Sequence, residues 1–417
     1  TSGKARGANY NERLNKHFRI SGNTLEEIST TGVATSLGVI KGNDTASLAN
    51  SFNTQAIVSD GKLWLYDGAI LTQITDTDLG FPIDITWFRG IYVMTDGESL
   101  FQTDELNEYT ISPLKYASSE YSADPIKGVI RTDENQIIAF NRYSSEWFYY
   151  NANAPVGTSV LFPISGKSTK IGIVGTHCKC ELDGLIFILG GRKQESPSVH
   201  IFNGSQESTI ATREIDKIIA RYTEDELQNV YMESRTVDRD KFVIIHLPNE
   251  TLLYNHTIGS SVGVQDAWTY LKTGTDTDYP WRAKFGIFDP RISKWVYGDI
   301  QENKLATLDQ ESIAQYGESQ ECILYTAIIP LQNISINEFQ IETINGFAPD
   351  IIQSAFSLSY NGVTNGTEYW NEISSPNDYD SRYICRNLGY IRDKFSMKFR
   401  FISNDKMSFS AVNIIYD

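Results

Sequence analysis

Histidine is scarce in this chain, with five in 417 residues, and cysteine is scarcer still, with four. Four cysteines cannot form the dense framework of a disulfide scaffold, and so few imidazoles leave little for proton transfer or metal ligation. No run of eighteen apolar residues occurs, which excludes a membrane-spanning helix. The opening Thr1-Ser2-Gly3-Lys4 leads into no apolar segment, so it does not read as a secretory signal. It also has no initiator Met, and a processed or truncated start is expected. Basic residues are in deficit, 36 against 52 acidic, for a net charge of −16. A field of that sign repels phosphate and argues against a grip on nucleic acid, although a wall that DNA slides past is compatible with it. Neither G-x-x-x-x-G-K-[ST] nor G-x-G-x-x-G is present, so no nucleotide cofactor is expected.

Aromatic residues are plentiful, with 23 Tyr and 20 Phe, and flat rings favour the pleated surface of strands. The chain exceeds the roughly 250–300 residues at which single cores stop growing, so two domains are expected. The recurring unit is an apolar and aromatic strand, a Gly/Asp/Asn turn, and a second strand ending in an aromatic residue, which reads as a β-hairpin. One copy spans 55–68 with its turn at Asp60-Gly61, and another spans 85–101 with its turn at Arg89-Gly90. Further copies lie at 126–150, turning near Asp133-Glu134-Asn135, and at 185–202, where Gly190-Gly191 opens a longer polar loop. The segments 242–254 and 283–297 turn at Pro248-Asn249 and Asp289-Pro290, and a weaker opening copy surrounds Ser21-Gly22-Asn23. The spacing is irregular but mostly near the roughly 40–50 residues of a propeller blade. The expected architecture is all-β: an irregular β-propeller of about six to seven blades over 1–321, then a β-sandwich over 322–417 with long strands at 334–344 and 394–402. A twisted sandwich throughout is the competing fold. One short helix is expected at 222–228, where Thr223 and Glu226 form a capping box.

Four groups of residues are candidates for chemistry. Gly259-Ser260-Ser261-Val262-Gly263 fits G-x-S-x-G, but a nucleophile elbow needs a preceding strand, a following helix and a later His, and no His follows His256. The segment reads as a loop, and 265–270 as a strand. His177, Cys178 and Cys180 could begin a metal site, yet nothing nearby supplies two further ligands, so packing is the expected role. Asp76 with Asp78, and Asp276 with Asp278, sit in turns where carboxylates cap backbone amides. No catalytic, cofactor-binding or metal-binding residue is therefore assigned. The fourth group is a stripe of Arg382, Arg386, Arg392, Lys394, Lys398 and Arg400, six cations in nineteen residues that contain a single acid, Asp393. Strand alternation puts Phe395, Met397, Phe399 and Phe401 on one face and Ser396, Lys398 and Arg400 on the other. Arg392, Lys394, Lys398 and Arg400 are the candidate partner-contact surface, the other reading being a solvated face.

Several blocks carry a resemblance: Lys170-Ile-Gly-Ile-Val-Gly-Thr-His-Cys-Lys179, Ser196-Pro-Ser-Val-His200, the segment 208–223, Phe242-Val-Ile-Ile-His-Leu-Pro248, the segment 267–274, and Leu388-Gly-Tyr-Ile-Arg392. In that order they resemble the packaged-DNA stabilisation proteins, the tail hubs of short-tailed bacteriophages. Residues 1–120 match more by pattern than by identity. The resemblance implies a non-enzymatic virion protein made in the bacterial host cytoplasm. It further implies a homo-hexameric hub below the portal and its adaptor ring that closes the DNA channel, stabilises packaged DNA and holds a tail needle, with tailspikes as further neighbours. DNA would pass without sequence-specific binding, and no cofactor is implied. The competing function is a polysaccharide-binding or polysaccharide-degrading propeller. Against it, Trp64, Trp87, Trp147 and Trp268 are not equivalently placed within their units.

Overall fold

The computed structural model describes residues 3–105, 107–275, 279–310, 312–330, 332–343, 352–361, 364–372, 381–403 and 409–416. It separates into two compact units, Thr1–Lys272 with Pro280–Thr307, and Thr273–Tyr279 with Leu308–Asp417. The division expected at 321/322 falls inside the strand Gln320–Tyr325, which pairs within the second unit.

The first unit holds seven consecutive antiparallel sheets, at 5–39, 47–73, 84–117, 126–169, 172–209, 231–280 and 283–307. Each contains one of the expected hairpins. The turns form where the chain supplies residues that tolerate positive φ: Asp60 and Gly61 at 53° and 66°, Arg89 and Gly90 at 48° and 94°. Two consecutive left-handed residues give the two-residue turn whose twist matches the flanking strands. The fourth and fifth sheets meet through Ile137–Asn141 and Gly172–Ile173, and elsewhere inner strands of neighbouring sheets lie side by side: Ala5–Asn11, Ser47–Asn50, Asp84–Phe88 and Ile126–Arg131 in one run, and Lys179–Leu182, Tyr231–Val237 and Ala283–Asp289 in the next. The last of these returns to the first, so the sheets are the blades of a closed seven-membered ring whose inner strands surround an axial tunnel.

The cores lie between blades rather than within them. Blades 1 and 2 share Phe18, Ile20, Ile57 and Tyr66; blades 2 and 3 share Leu63, Leu65, Tyr92 and Phe101. Ring pairs mark successive junctions, Phe18–Tyr66 at 5.6 Å, Phe88–Tyr150 at 6.3 Å, Trp147–Phe202 at 5.8 Å, Phe187–Tyr254 at 6.2 Å and Tyr231–Phe285 at 4.6 Å. Such contacts add about 0.5–1.5 kcal/mol each beyond their buried area.

The junction of blades 7 and 1 is different. Arg291 Nη2 donates to the Ile28 carbonyl at 2.8 Å while its Nε bonds Asp289 Oδ1 at 3.0 Å, and its guanidinium lies over Tyr10, 5.7 Å from the ring centre. Arg19 Nη2 and Ser21 Oγ both donate to Asn303 Oδ1, at 2.6 and 2.8 Å, and Arg19 Nη1 reaches the Lys304 carbonyl at 3.1 Å. Among the described residues blade 7 has three strands, and no strand is shared between blades 7 and 1. The ring is therefore closed by side chains. Arg291→Ala should cost about 2 kcal/mol, as hydrogen bonds to charged groups do, read as a lower urea midpoint for the propeller. An unchanged midpoint would show that the junction does not depend on this residue.

The second unit is a sandwich. One sheet runs Gln320–Tyr325, Lys394–Ser403, Gln353–Ser359, Tyr369–Glu372, with Ile329–Pro330 also on Lys394–Ser403; the other runs Ser381–Ile391, Ile334–Thr343, Phe409–Tyr416. Phe339 stacks on Phe356 at 4.7 Å and 8°, and Phe399 lies 5.4 Å from Phe339. Phe395, Met397, Phe399 and Phe401 are all buried, as their alternation required.

Candidate functional site

The axial tunnel of a propeller gathers residues from every blade, so catalytic or binding groups of this chain would meet there. Asp84, on the first strand of blade 3, is buried at its level. Its Oδ1 accepts from Ser47 Oγ at 2.8 Å, and its Oδ2 from Lys179 Nζ at 2.7 Å and from the Val129 amide at 2.8 Å. One carboxylate thus ties blades 2, 3, 4 and 5. Gly128 makes room for it, because a Cβ there would stand 2.8 Å from Lys179 Nζ and 2.9 Å from Asp84 Oδ2.

Between blades 6 and 7, Glu233 Oε1 lies 3.0 Å from His246 Nε2, and Glu233 Oε2 accepts from the Gly286 amide at 2.8 Å. That amide belongs to a bulge where the register shifts between Lys284 and Ile287 and where Phe285 holds φ 61°. A bulky residue with positive φ stores strain of order 1–3 kcal/mol, offset here by the Glu233 bond and the Tyr231 ring contact. Burial lowers Lys284 to about 8, although Glu233 pulls the other way. Burial lowers His177 to about 4, helped by the charge of Lys179, and lowers His246 against the pull of Glu233. Asp84 and Glu233 are thus saturated by amides, a hydroxyl, an ammonium and an imidazole. Such an arrangement holds blades together.

The residues singled out from the sequence are scattered over the propeller. The segment at 259–263 is a loop only in part: Gly259, Ser260 and Ser261 end the short helix His256–Ser261, capped by Asn255, whose side chain accepts from the Ile258 amide, and Val262 and Gly263 lie beyond it. Ser261 Oγ donates to the Thr257 carbonyl at 2.8 Å, a bond that only a helical turn offers. The strand expected at 265–270 begins only at Trp268, after a single 3-10 turn over Val264–Asp266. Cys178 and Cys180 are buried; Cys178 Sγ donates to the Leu227 carbonyl at 3.4 Å, and burial pushes its thiol up to about 12. Both cysteines lie in the largest hydrophobic cluster. Asp76 accepts from the Asp78 amide at 3.0 Å and the Ile111 amide at 3.2 Å. Asp276 and Asp278 lie outside the described residues.

The basic stripe of the sandwich is less open than its alternation suggested. Arg400 is 8% exposed. It bonds Glu321 through Nε and Glu368 through Nη1, the latter at 2.7 Å, and its guanidinium covers Trp370 at 5.0 Å. Lys398 Nζ reaches the same Glu368 at 2.9 Å, and Arg386 Nε bonds Glu338 Oε2 at 2.8 Å. Arg400 is therefore not a solvent-facing cation, because the edge strand Gln320–Tyr325 and the segment before Tyr369–Glu372 bring carboxylates to it from far along the chain. Arg392 and Lys394, at the turn between two strands, remain exposed with no ion pair among the described residues.

Sequence reading missed the helix Arg213–Ile219. Its signals were present: Thr212 caps the Ile215 amide, and Ile215, Ile218 and Ile219 form its buried face. The helix Glu224–Leu227 has the expected capping box of Thr223 and Glu226.

The matching family models agree with this architecture. The sequence matches the bacteriophage P22 Gp10 β-propeller family over residues 1–313 and the bacteriophage P22 Gp10 β-sandwich family over 321–416. It is 29% identical over 428 residues to the tail hub protein gp10 of Salmonella phage P22, covering 99% of this chain and 88% of that one. Among solved structures, virginiamycin B lyase from Staphylococcus aureus aligns with a TM-score of 0.47 and 10% identity, over 74% of this chain and 95% of its own. PorZ of Porphyromonas gingivalis aligns with a TM-score of 0.41 and 14% identity, over 74% of this chain and 37% of its own. Spanning both domains in order, the chain belongs to the bacteriophage P22 Gp10 family of tail hub proteins, a structural component of the virion tail built as a β-propeller followed by a β-sandwich.

Proposed function

We propose that this chain acts as a hexameric hub in a short phage tail, below the portal and its adaptor ring, where it closes the DNA channel, retains packaged DNA and holds the tail needle. The observation that carries this reading is the similarity to the P22 tail hub, which runs through 99% of the chain. The role is mechanical and not enzymatic, and it takes no cofactor; synthesis takes place in the host cytoplasm before assembly. Physical chemistry supports it. In a ring of copies the channel would run between subunits. Six copies at −16 each place on the order of −100 charges around such a channel, which lets a polyanion leave without sticking. For contacts with the adaptor or a tailspike, Arg392 and Lys394 are exposed cations of the stripe with no ion pair among the described residues, whereas Lys398 and Arg400 serve the sandwich itself.

The test is assembly. Purified protein mixed with its adaptor should give a six-fold particle by electron microscopy and a mass step by light scattering. A mixture that stays monomeric would overturn the hub reading. Arg392→Glu combined with Lys394→Glu should weaken that assembly while leaving the unfolding midpoint of the sandwich unchanged.

A further inference from the structure

At the end of the ring where the inner strands terminate, the tunnel widens into an open cavity of about 700 Å³. That volume lies within the range of roughly 300–1,000 Å³ of small-molecule sites. Its wall includes Trp87, with Phe52 edge-on at 4.9 Å and 82°, and Phe52 stands 64% exposed at the rim. The indole N–H of Trp87 is buried with no hydrogen-bond partner.

Some guanidinium groups of the propeller are paired and others stand open. Arg6, Arg19, Arg142, Arg282 and Arg291 are each hydrogen-bonded to carboxylate, hydroxyl or carbonyl oxygens. Around the cavity stand Arg13, Arg131, Glu12 and Asp133, and none of the four has a hydrogen bond or ion pair to another side chain among the described residues. Arg131 only leans over the Trp87 ring, 5.9 Å from its centre. Glu181, a further carboxylate of the wall, is already engaged by the Gly184 amide at 3.2 Å.

With Glu181 counted, two guanidinium forks face three carboxylates, a balance that disfavours an anion such as phosphate and is too slight to hold a polycation. Each fork presents paired donors, and each carboxylate paired acceptors, at the spacing of neighbouring hydroxyls. A flat aromatic wall beside them suits a ligand with one apolar C–H face. We propose that this mouth of the propeller is a binding site for a neutral oligosaccharide, with Phe52 and Trp87 as the stacking wall and Arg13, Arg131, Glu12 and Asp133 as its hydrogen-bonding rim. The site would give a structural tail protein a second role, contact with surface glycan, and it does not depend on how many copies assemble.

Isothermal titration of the purified full chain tests it, using neutral trisaccharides of glucose, galactose and mannose and neutral repeating units of bacterial O-polysaccharide. Inorganic phosphate and spermidine serve as charged probes. At least one neutral sugar should bind saturably, and Phe52→Ala should weaken it roughly tenfold, the loss of one aromatic contact, with the unfolding midpoint unchanged because the ring is exposed. Arg131→Gln should weaken the same sugar in the same way. Absence of binding by every neutral sugar, equal affinity in Phe52→Ala, or saturable binding of phosphate or spermidine alone would each overturn the assignment. None of these readouts requires ring assembly, so a failure here leaves the hub reading standing and the reverse.

Discussion

Lowering the pH from about 6.5 to about 4 should remove on the order of 5 kcal/mol of stability from the propeller. All five histidines titrate below their ordinary value, and burial is the first cause in each. His17, in the polar junction of blades 7 and 1, is held to about 4 despite Asp289, whose Oδ2 lies 3.6 Å away. His177 is held to about 4 in the tunnel wall. These imidazoles stay neutral in the folded state, whereas the unfolded chain takes up their protons near 6.5. Across that window the unfolded state therefore binds more protons, and stability falls as pH falls, levelling off below the folded value. His17 should account for about 3 kcal/mol and His177 for less, since it keeps some solvent contact. Urea unfolding followed at pH 7, 6, 5 and 4 measures the loss, and His17→Asn should flatten the profile. A midpoint that does not move between pH 6.5 and 4.5 would show that the imidazoles gain their protons without unfolding the ring. The size of the effect matters because whole domains are stable by only about 5–15 kcal/mol.

The second large effect is expected from Arg400→Glu. The substitution would replace a buried cation with a third carboxylate beside Glu321 and Glu368, where the present pairing satisfies both. Breaking a buried pair costs about 3–5 kcal/mol even without the added repulsion, so the sandwich should be largely unfolded at neutral pH. Two-transition thermal denaturation would show it, with the sandwich transition lost and the propeller transition retained. Arg400→Met, which removes the charge but keeps the volume, leaves Glu321 buried without its cation and should fall between. If the Glu variant melts like the natural protein, the pairing contributes nothing and Arg400 returns to the candidate contact surface.

That correction shows where sequence reading stops. The seven hairpins were legible because each turn is decided by two or three adjacent residues, and left-handed pairs such as Asp60-Gly61 announce themselves. The apolar alternation of 395–401 was legible for the same local reason. The neutralisation of Arg400 was not, because Glu321 and Glu368 lie 79 and 32 residues away, and only the sheet order brings them to it. The network on Asp84 is likewise a product of ring closure, since its partners Ser47, Val129 and Lys179 come from three other blades. The helix ending at Ser261 was misread for a different reason: Gly259 and two serines weaken helix propensity, and the cap at Asn255 prevails over them.

The side-chain junction between blades 7 and 1 also sets the order in which the ring can form. Every other blade is a meander that packs on its neighbour in sequence, so each can be completed as the chain emerges from the ribosome. The bond from Arg19 to the Lys304 carbonyl joins residues 285 positions apart and cannot exist until the last blade has been made. Synthesis therefore passes through a long interval in which an arc of blades waits with the polar edge of blade 1 uncovered, and hydrogen exchange during refolding should find that edge the last to be protected.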